Sequence, residues 1–195
     1  MTTRNTEQAT HIVDKIEYDE NKFKELILYI ADQMGNSDTF GATMFNKVLF
    51  FADFYHYAEH GVPITGAEYQ RLDHGPAPKR LLPAIDELIQ EKKASIRTTP
   101  MGPYTRRRLK ALVEPDLQKF SATEIKQVDE VIKLLGGRTA GQVSNISRDM
   151  IGWKAADTNE TIPYYTVFLT KTGITDSDRS VAKGLKQNLV VSAAA

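Results

Sequence analysis

His56-Tyr-Ala-Glu-His60 has the residue types and spacing of a hydrolytic zinc site. In an H-x-x-E-H arrangement two histidines one helical turn apart hold the metal and the glutamate activates a water. Asp53 lies three residues before His56, on the same helix face, and offers a further oxygen ligand. One reading is therefore a zinc-dependent hydrolase using His56, Glu59 and His60. The simpler reading makes the same residues the polar edge of a mostly buried helix, since short motifs of this kind arise readily by chance. A zinc hydrolase also needs a distant acidic ligand and a cleft, and nothing in the sequence singles either out. The chain has no cysteine, which removes disulfides, thiolate catalysis and cysteine-bound zinc. Its glycines form neither a phosphate-binding loop nor a dinucleotide fingerprint. The expectation is a protein with no catalytic residue, no metal and no cofactor.

Two other groups carry charge where it matters. Lys47 falls within an apolar arc, with Met44 and Phe50 three residues to either side. An unpaired charge there is costly, so its stem should be buried and its ammonium should reach a carboxylate or backbone carbonyls. Farther on, Arg97, Arg106, Arg107, Arg108 and Lys110 occur with no acidic residue between the first and the last. Strand alternation sends Arg106, Arg108 and Lys110 to one face and Leu109, Ala111 and Val113 to the other. Such a ribbon suits the backbone of operator DNA or an acidic protein partner. Against DNA, the 25 basic and 25 acidic residues cancel, so any electrostatic binding is local.

The elements that must position these groups follow from periodicity. Phe23, Leu26, Ile27, Ile30 and Met34 predict an amphipathic helix from Glu20 to the Gly35-Asn36 breaker. Residues Ala42 to His60 are apolar around most of a helix, which marks a helix at the centre of the core, closed by Gly61. The stretch from Val62 to Pro78 is rich in turn residues and carries a short strand near Tyr69 and Leu72. Pro78 is placed in the first turn of a third helix, with Leu81, Leu82, Ile85, Leu88 and Ile89 facing inward. Ser95–Thr99 and Tyr104–Val113 form a β-hairpin around a four-residue turn, Pro100 to Pro103, so that helix and hairpin together resemble a winged helix. Ser121 and Thr139 open capping boxes of two more helices, the second leading to Trp153. Ile162 to Leu169 has a strand-like pattern, and Asp176 to Asn188 a weak helical one. The fold class expected is mainly α with a small β element, in one domain of residues 20–170. A mobile arm, 1–19, precedes it, and a C-terminal helix and tail, 171–195, follow. With no apolar run long enough to span a bilayer and a polar start, the chain is expected in the cytoplasm, with no membrane partner.

Lys47-Val-Leu-Phe-Phe-Ala-Asp53, Ile64-Thr-Gly-Ala-Glu-Tyr69 and His74-Gly-Pro-Ala-Pro78, in this order and spacing, resemble the core signature of the Panacea domain of SocA-type antitoxins and phage-associated relatives. Ser147, Trp153 and Ile162-Pro-Tyr164 resemble its closing pattern. The matching positions are Lys47, Phe50, Asp53, Gly66, Tyr69, Gly75, Pro76, Pro78 and Trp153. The resemblance implies a mainly helical, non-enzymatic module of a type II toxin–antitoxin pair that neutralises a cognate toxin encoded nearby. Physically, the glycines and prolines shape a loop while Tyr69 and Trp153 pack. Operator DNA is a second candidate partner. An AAA+ unfoldase protease is a third, because some relatives hand their toxin to one and the end Val190-Val-Ser-Ala-Ala-Ala195 resembles a degradation tag; a frayed terminus accounts for that end equally. A homo-oligomer is compatible with the sequence. The arm, the hairpin and the tail are the segments expected to choose the toxin.

Overall fold

The computed structural model describes residues 16–35, 41–101 and 104–169. The candidate C-terminal helix, the tag-like tail and the first fifteen residues of the arm lie outside them. Ile16 and Tyr18 pack against the core, and the Asp19 N–H donates to the Thr65 carbonyl at 2.9 Å. Helix α1 (Glu20–Met34) begins where the Asp19 side chain accepts the Lys22 N–H. Its predicted stripe is buried, and so are Leu28, Tyr29 and Ala31, so that more than one face is covered.

Helix α2 (Ala42–His60) is the hub. Met44, Phe45, Val48, Leu49, Phe50, Phe51, Ala52 and Phe54 are all buried along it. Gly61 stops it in the left-handed region, φ 77°, with its N–H on the Tyr57 carbonyl. Beyond come β1 (Tyr69–Gln70) and β2 (Ala77–Pro78), which pair antiparallel with Tyr69 opposite Pro78. Pro78 is therefore a strand residue and not the start of a helix. Lys79 continues the pairing by donating to the Glu68 carbonyl, and α3 (Leu81–Gln90) starts only after it, with Pro83 in its first turn, where a missing N–H costs nothing. That shift turns the helix: Leu81, Ala84 and Leu88 are buried, whereas Leu82, expected inside, is 73% exposed.

Strands β3 (Ala94–Met101) and β4 (Tyr104–Ala111) pair in register from Ala94 with Ala111 to Met101 with Tyr104. Pairing thus runs through Pro100 and Met101, and the connection is two residues, shorter than the four expected. The hairpin rests on α3 and α1. A 3-10 turn (Leu117–Lys119) leads to α4 (Ala122–Leu135) and α5 (Ala140–Arg148), whose Ser121 and Thr139 capping boxes are both closed, as predicted. Trp153 lies in a short helix of its own, α6 (Ile151–Ala155), and Ile146 is 38% exposed. The segment read as a strand is a 3-10 helix (Tyr164–Phe168). Pro163 caps it, the Thr166 N–H and hydroxyl both return to the Pro163 carbonyl, and Tyr164 turns into the core. The architecture is thus mainly helical with two small two-stranded antiparallel sheets. Among the described residues no helix is long and apolar enough to cross a membrane.

Candidate functional site

Three polar side chains of α2 hold the loop from Val62 to Pro78. Because α2 is buried all round, each must find its partner inside the protein. Lys47, 1% exposed, donates to the Pro76 carbonyl at 2.7 Å. Asp53, two turns on, accepts the Thr65 N–H at 2.8 Å on one oxygen and the Thr65 hydroxyl at 2.6 Å on the other. His56 donates from Nδ1 to the Val62 carbonyl at 2.7 Å. The loop is thus fastened near both ends and at its first bend by one helix.

The centre of the loop is fixed by Tyr69. Its hydroxyl lies 2.7 Å from Asp53 Oδ2 and 2.9 Å from the Leu49 carbonyl, with one proton to share between them. Its ring meets Phe50 and Phe54 edge-on, and Tyr164 closes the cluster, 4.6 Å from Phe54, while donating to the Ala67 carbonyl. Burial pushes the Asp53 carboxyl up, against the pull of the Thr65 and Tyr69 donors, and it holds the Tyr69 phenol far above its ordinary range. These groups are built to stay as they are.

Two glycines are required by close approach. Gly66, φ 69°, packs against the Glu17 carbonyl; Gly75, φ 96°, packs against Ser147 Oγ and the Lys47 side chain. In both, a Cβ would collide as well as strain the backbone. Gly75→Ala is expected to lower stability by about 2 kcal/mol in urea titration, and a loss below about 0.5 kcal/mol would mean that the loop moves aside freely.

The far side of the loop is sealed by the last described segment. Ile162 N–H donates to the Tyr69 carbonyl and Arg71 N–H to Glu160. Trp153 donates from Nε1 to the Leu72 carbonyl, and the Arg71 guanidinium lies 4.5 Å from the centre of its ring. The signature positions, distant in sequence, are thereby brought into one structure: α2, its loop and Trp153. Phe50 and Tyr69 are fully buried in it.

The histidine motif is not assembled around a metal site. His56 and His60 stack with ring centres 4.4 Å apart, but Asp53 is turned to Thr65 and Tyr69, and Glu59 is exposed. No group of three or more His, Asp or Glu able to hold an ion gathers among the described residues.

The hairpin divides its cations. Arg97 stands directly opposite Arg108 and Ser95 opposite Lys110, so Arg97, Arg108 and Lys110 share a face. Arg107, opposite Thr98, falls on the other face, which carries Ile96 and Leu109 towards the core. The Arg106 side chain lies outside those described. Of the four basic side chains described, three thus share the ribbon face.

Sequence reasoning missed Thr65 and Arg148. Thr65 sits within the loop signature and is the natural donor to a buried carboxylate. Nothing in sequence pairs Arg148 with the Lys47 region, which only the approach of α5 to α2 creates.

The family described as "Antitoxin SocA-like, Panacea domain" matches this chain over residues 45–154. No curated protein and no solved structure matches it.

Proposed function

Because the chain belongs to the SocA-like antitoxin family with its Panacea domain, we propose that it binds and neutralises a cognate toxin encoded beside it, by protein–protein contact and without chemistry of its own. The match to this family over α2 through α6 is the observation that carries the reading. The arrangement of α2 supports it, since Lys47, Asp53, His56 and Tyr69 hold the protein's own loop. The signature residues then act indirectly, by fixing a frame on which recognition surfaces are displayed. Residues 20–170 form that frame in this reading, and the arm, hairpin and tail supply partner-specific contacts. Folding of such a segment onto the toxin would block it at an ordering cost.

Co-expression with the product of the adjacent gene is the test. The product alone should arrest growth, this chain should restore it, and the two should purify together. A harmless product, or one that stays toxic, ends the proposal. If the toxin instead disappears from the cell only when an AAA+ protease is active, neutralisation runs through degradation.

The hairpin face that carries Arg97, Arg108 and Lys110 supports an anionic partner there. Arg97→Ala with Arg108→Ala and Lys110→Ala should weaken toxin co-purification without unfolding the domain. A second reading, repression of its own operon, predicts that the same variant loses a salt-sensitive shift of operator DNA. Unchanged behaviour in both assays would leave the ribbon without a partner of either kind.

A further inference from the structure

A cleft of about 340 Å³ opens at the start of α2, between its first two turns, the loop from Leu72 to Ala77, and Thr158-Asn159. Its walls are unusual in what they leave unpaired. Lys47 forms part of the lining, and its ammonium, with three protons, has one acceptor among the described residues, the Pro76 carbonyl. No carboxylate among the described residues pairs with it, and the charge that acts on it most, Arg148 from α5, has the same sign. Asn46, the preceding residue of α2, also lines the cleft. The helix itself starts at Gly41, which has no side chain to cap the first-turn N–H groups. A buried cation with no carboxylate partner among the described residues and the start of a helix therefore border one space.

We propose that this cleft binds a carboxylate, received by the Lys47 ammonium and the first turn of α2. A monoanion fits because one buried positive charge stands uncompensated, and Asp73 at the exposed rim opposes a more highly charged ligand. The cleft has room for a single acidic side chain or a small free acid. The proposal stands apart from the antitoxin reading: it holds or fails on the purified chain alone.

Burial and the Arg148 charge hold the Lys47 amine down at about 7. The other titratable groups at the cleft are Asp73 and His74, both at its exposed rim. A carboxylate placed against the ammonium favours its charged form, so binding near neutral pH takes up a proton.

The test follows the Lys47 side chain by NMR in the full chain, its signal assigned by its loss in Lys47→Met. The pH titration is run in chloride, then with acetate, with an acetylated and amidated peptide centred on glutamate, or with inorganic phosphate, all at equal ionic strength. Acetate or the peptide should raise the midpoint by about one unit or more, a tenfold gain in proton affinity. A response to acetate alone identifies a small free acid as the ligand, and one to the peptide identifies the side chain of a partner polypeptide. Asn46→Asp places a fixed carboxylate in the same cleft and should raise the midpoint in chloride while weakening the response to acetate. A midpoint unmoved by acetate and peptide overturns the proposal, as does an equal or larger response to phosphate.

Discussion

Asp53→Ala is expected to lower the stability of the fold by about 3 kcal/mol, whereas Asp53→Asn stays within about 1 kcal/mol of the parent. The difference follows from what each variant leaves behind. Alanine removes the acceptor of the Thr65 N–H and the Thr65 hydroxyl and one of the two acceptors offered to each of Tyr69 and Tyr164, and opens a void in a fully buried site. The three hydroxyls can turn to other partners, Tyr69 to the Leu49 carbonyl and Tyr164 to the Ala67 carbonyl among them; the Thr65 N–H is fixed by the backbone and cannot. Asparagine keeps an oxygen for that N–H and presents an NH₂ to the surrounding hydroxyl oxygens, which are able to accept. It also removes a charge that burial disfavours. Urea unfolding of both variants beside Tyr69→Phe measures this directly. If asparagine proves as damaging as alanine, the carboxylate charge, and not its acceptor geometry, holds the loop.

The same contrast explains what could be read before the structure. Periodicity located α1 and α2, because an apolar stripe and a wholly apolar helix each have one way of burying themselves. The capping boxes at Ser121 and Thr139 were legible because cap and helix lie within four residues of each other. The misreadings share a different origin. Pro78 fits the first turn of a helix and equally an edge strand; what decides is Tyr69, nine residues earlier, whose register with it no local rule specifies. Residues 164–168 alternate like a strand, yet no neighbouring strand awaits them and Pro163 directs the chain into a tight turn. Leu82 followed Pro78 into error, since moving a helix start by three residues changes which side chains face inward.

For the site, residue types were legible and their partners were not. That Lys47 needs an acceptor follows from its apolar neighbours; that the acceptor is the Pro76 carbonyl follows from a loop folding back over α2. His56-x-x-Glu59-His60 carried the spacing of a zinc site, but the groups that would complete one are turned elsewhere. Motif spacing reports what one helix face presents, and a metal site also requires what a second element brings to it.

Lys47→Met should make the fold more stable at neutral pH, by several kcal/mol at most and by an amount that shrinks as pH rises. The amine titrates near 7 in the folded chain and at about 10.5 when unfolded. Below pH 7 both states carry the charge, and the folded state bears the full penalty of burying it. Between pH 7 and 10.5 the unfolded chain binds more protons than the folded one, so stability rises with pH until the penalty is gone. The upper bound on this effect is about 5 kcal/mol, the free energy equivalent of moving the amine from 10.5 to about 7. Methionine fills the same volume without the charge, and loses only the bond to Pro76, worth about 1 kcal/mol. Parent and variant should therefore differ most near pH 6 and converge towards pH 9.5, beyond which tyrosine ionisation in the unfolded chain affects both alike. Urea midpoints measured across that range decide it. A variant less stable than the parent at pH 6 would mean that Lys47 already has a counter-charge when folded. A stabilised variant shows a buried cation retained at a cost to the fold, which is the behaviour of a residue kept for what it binds.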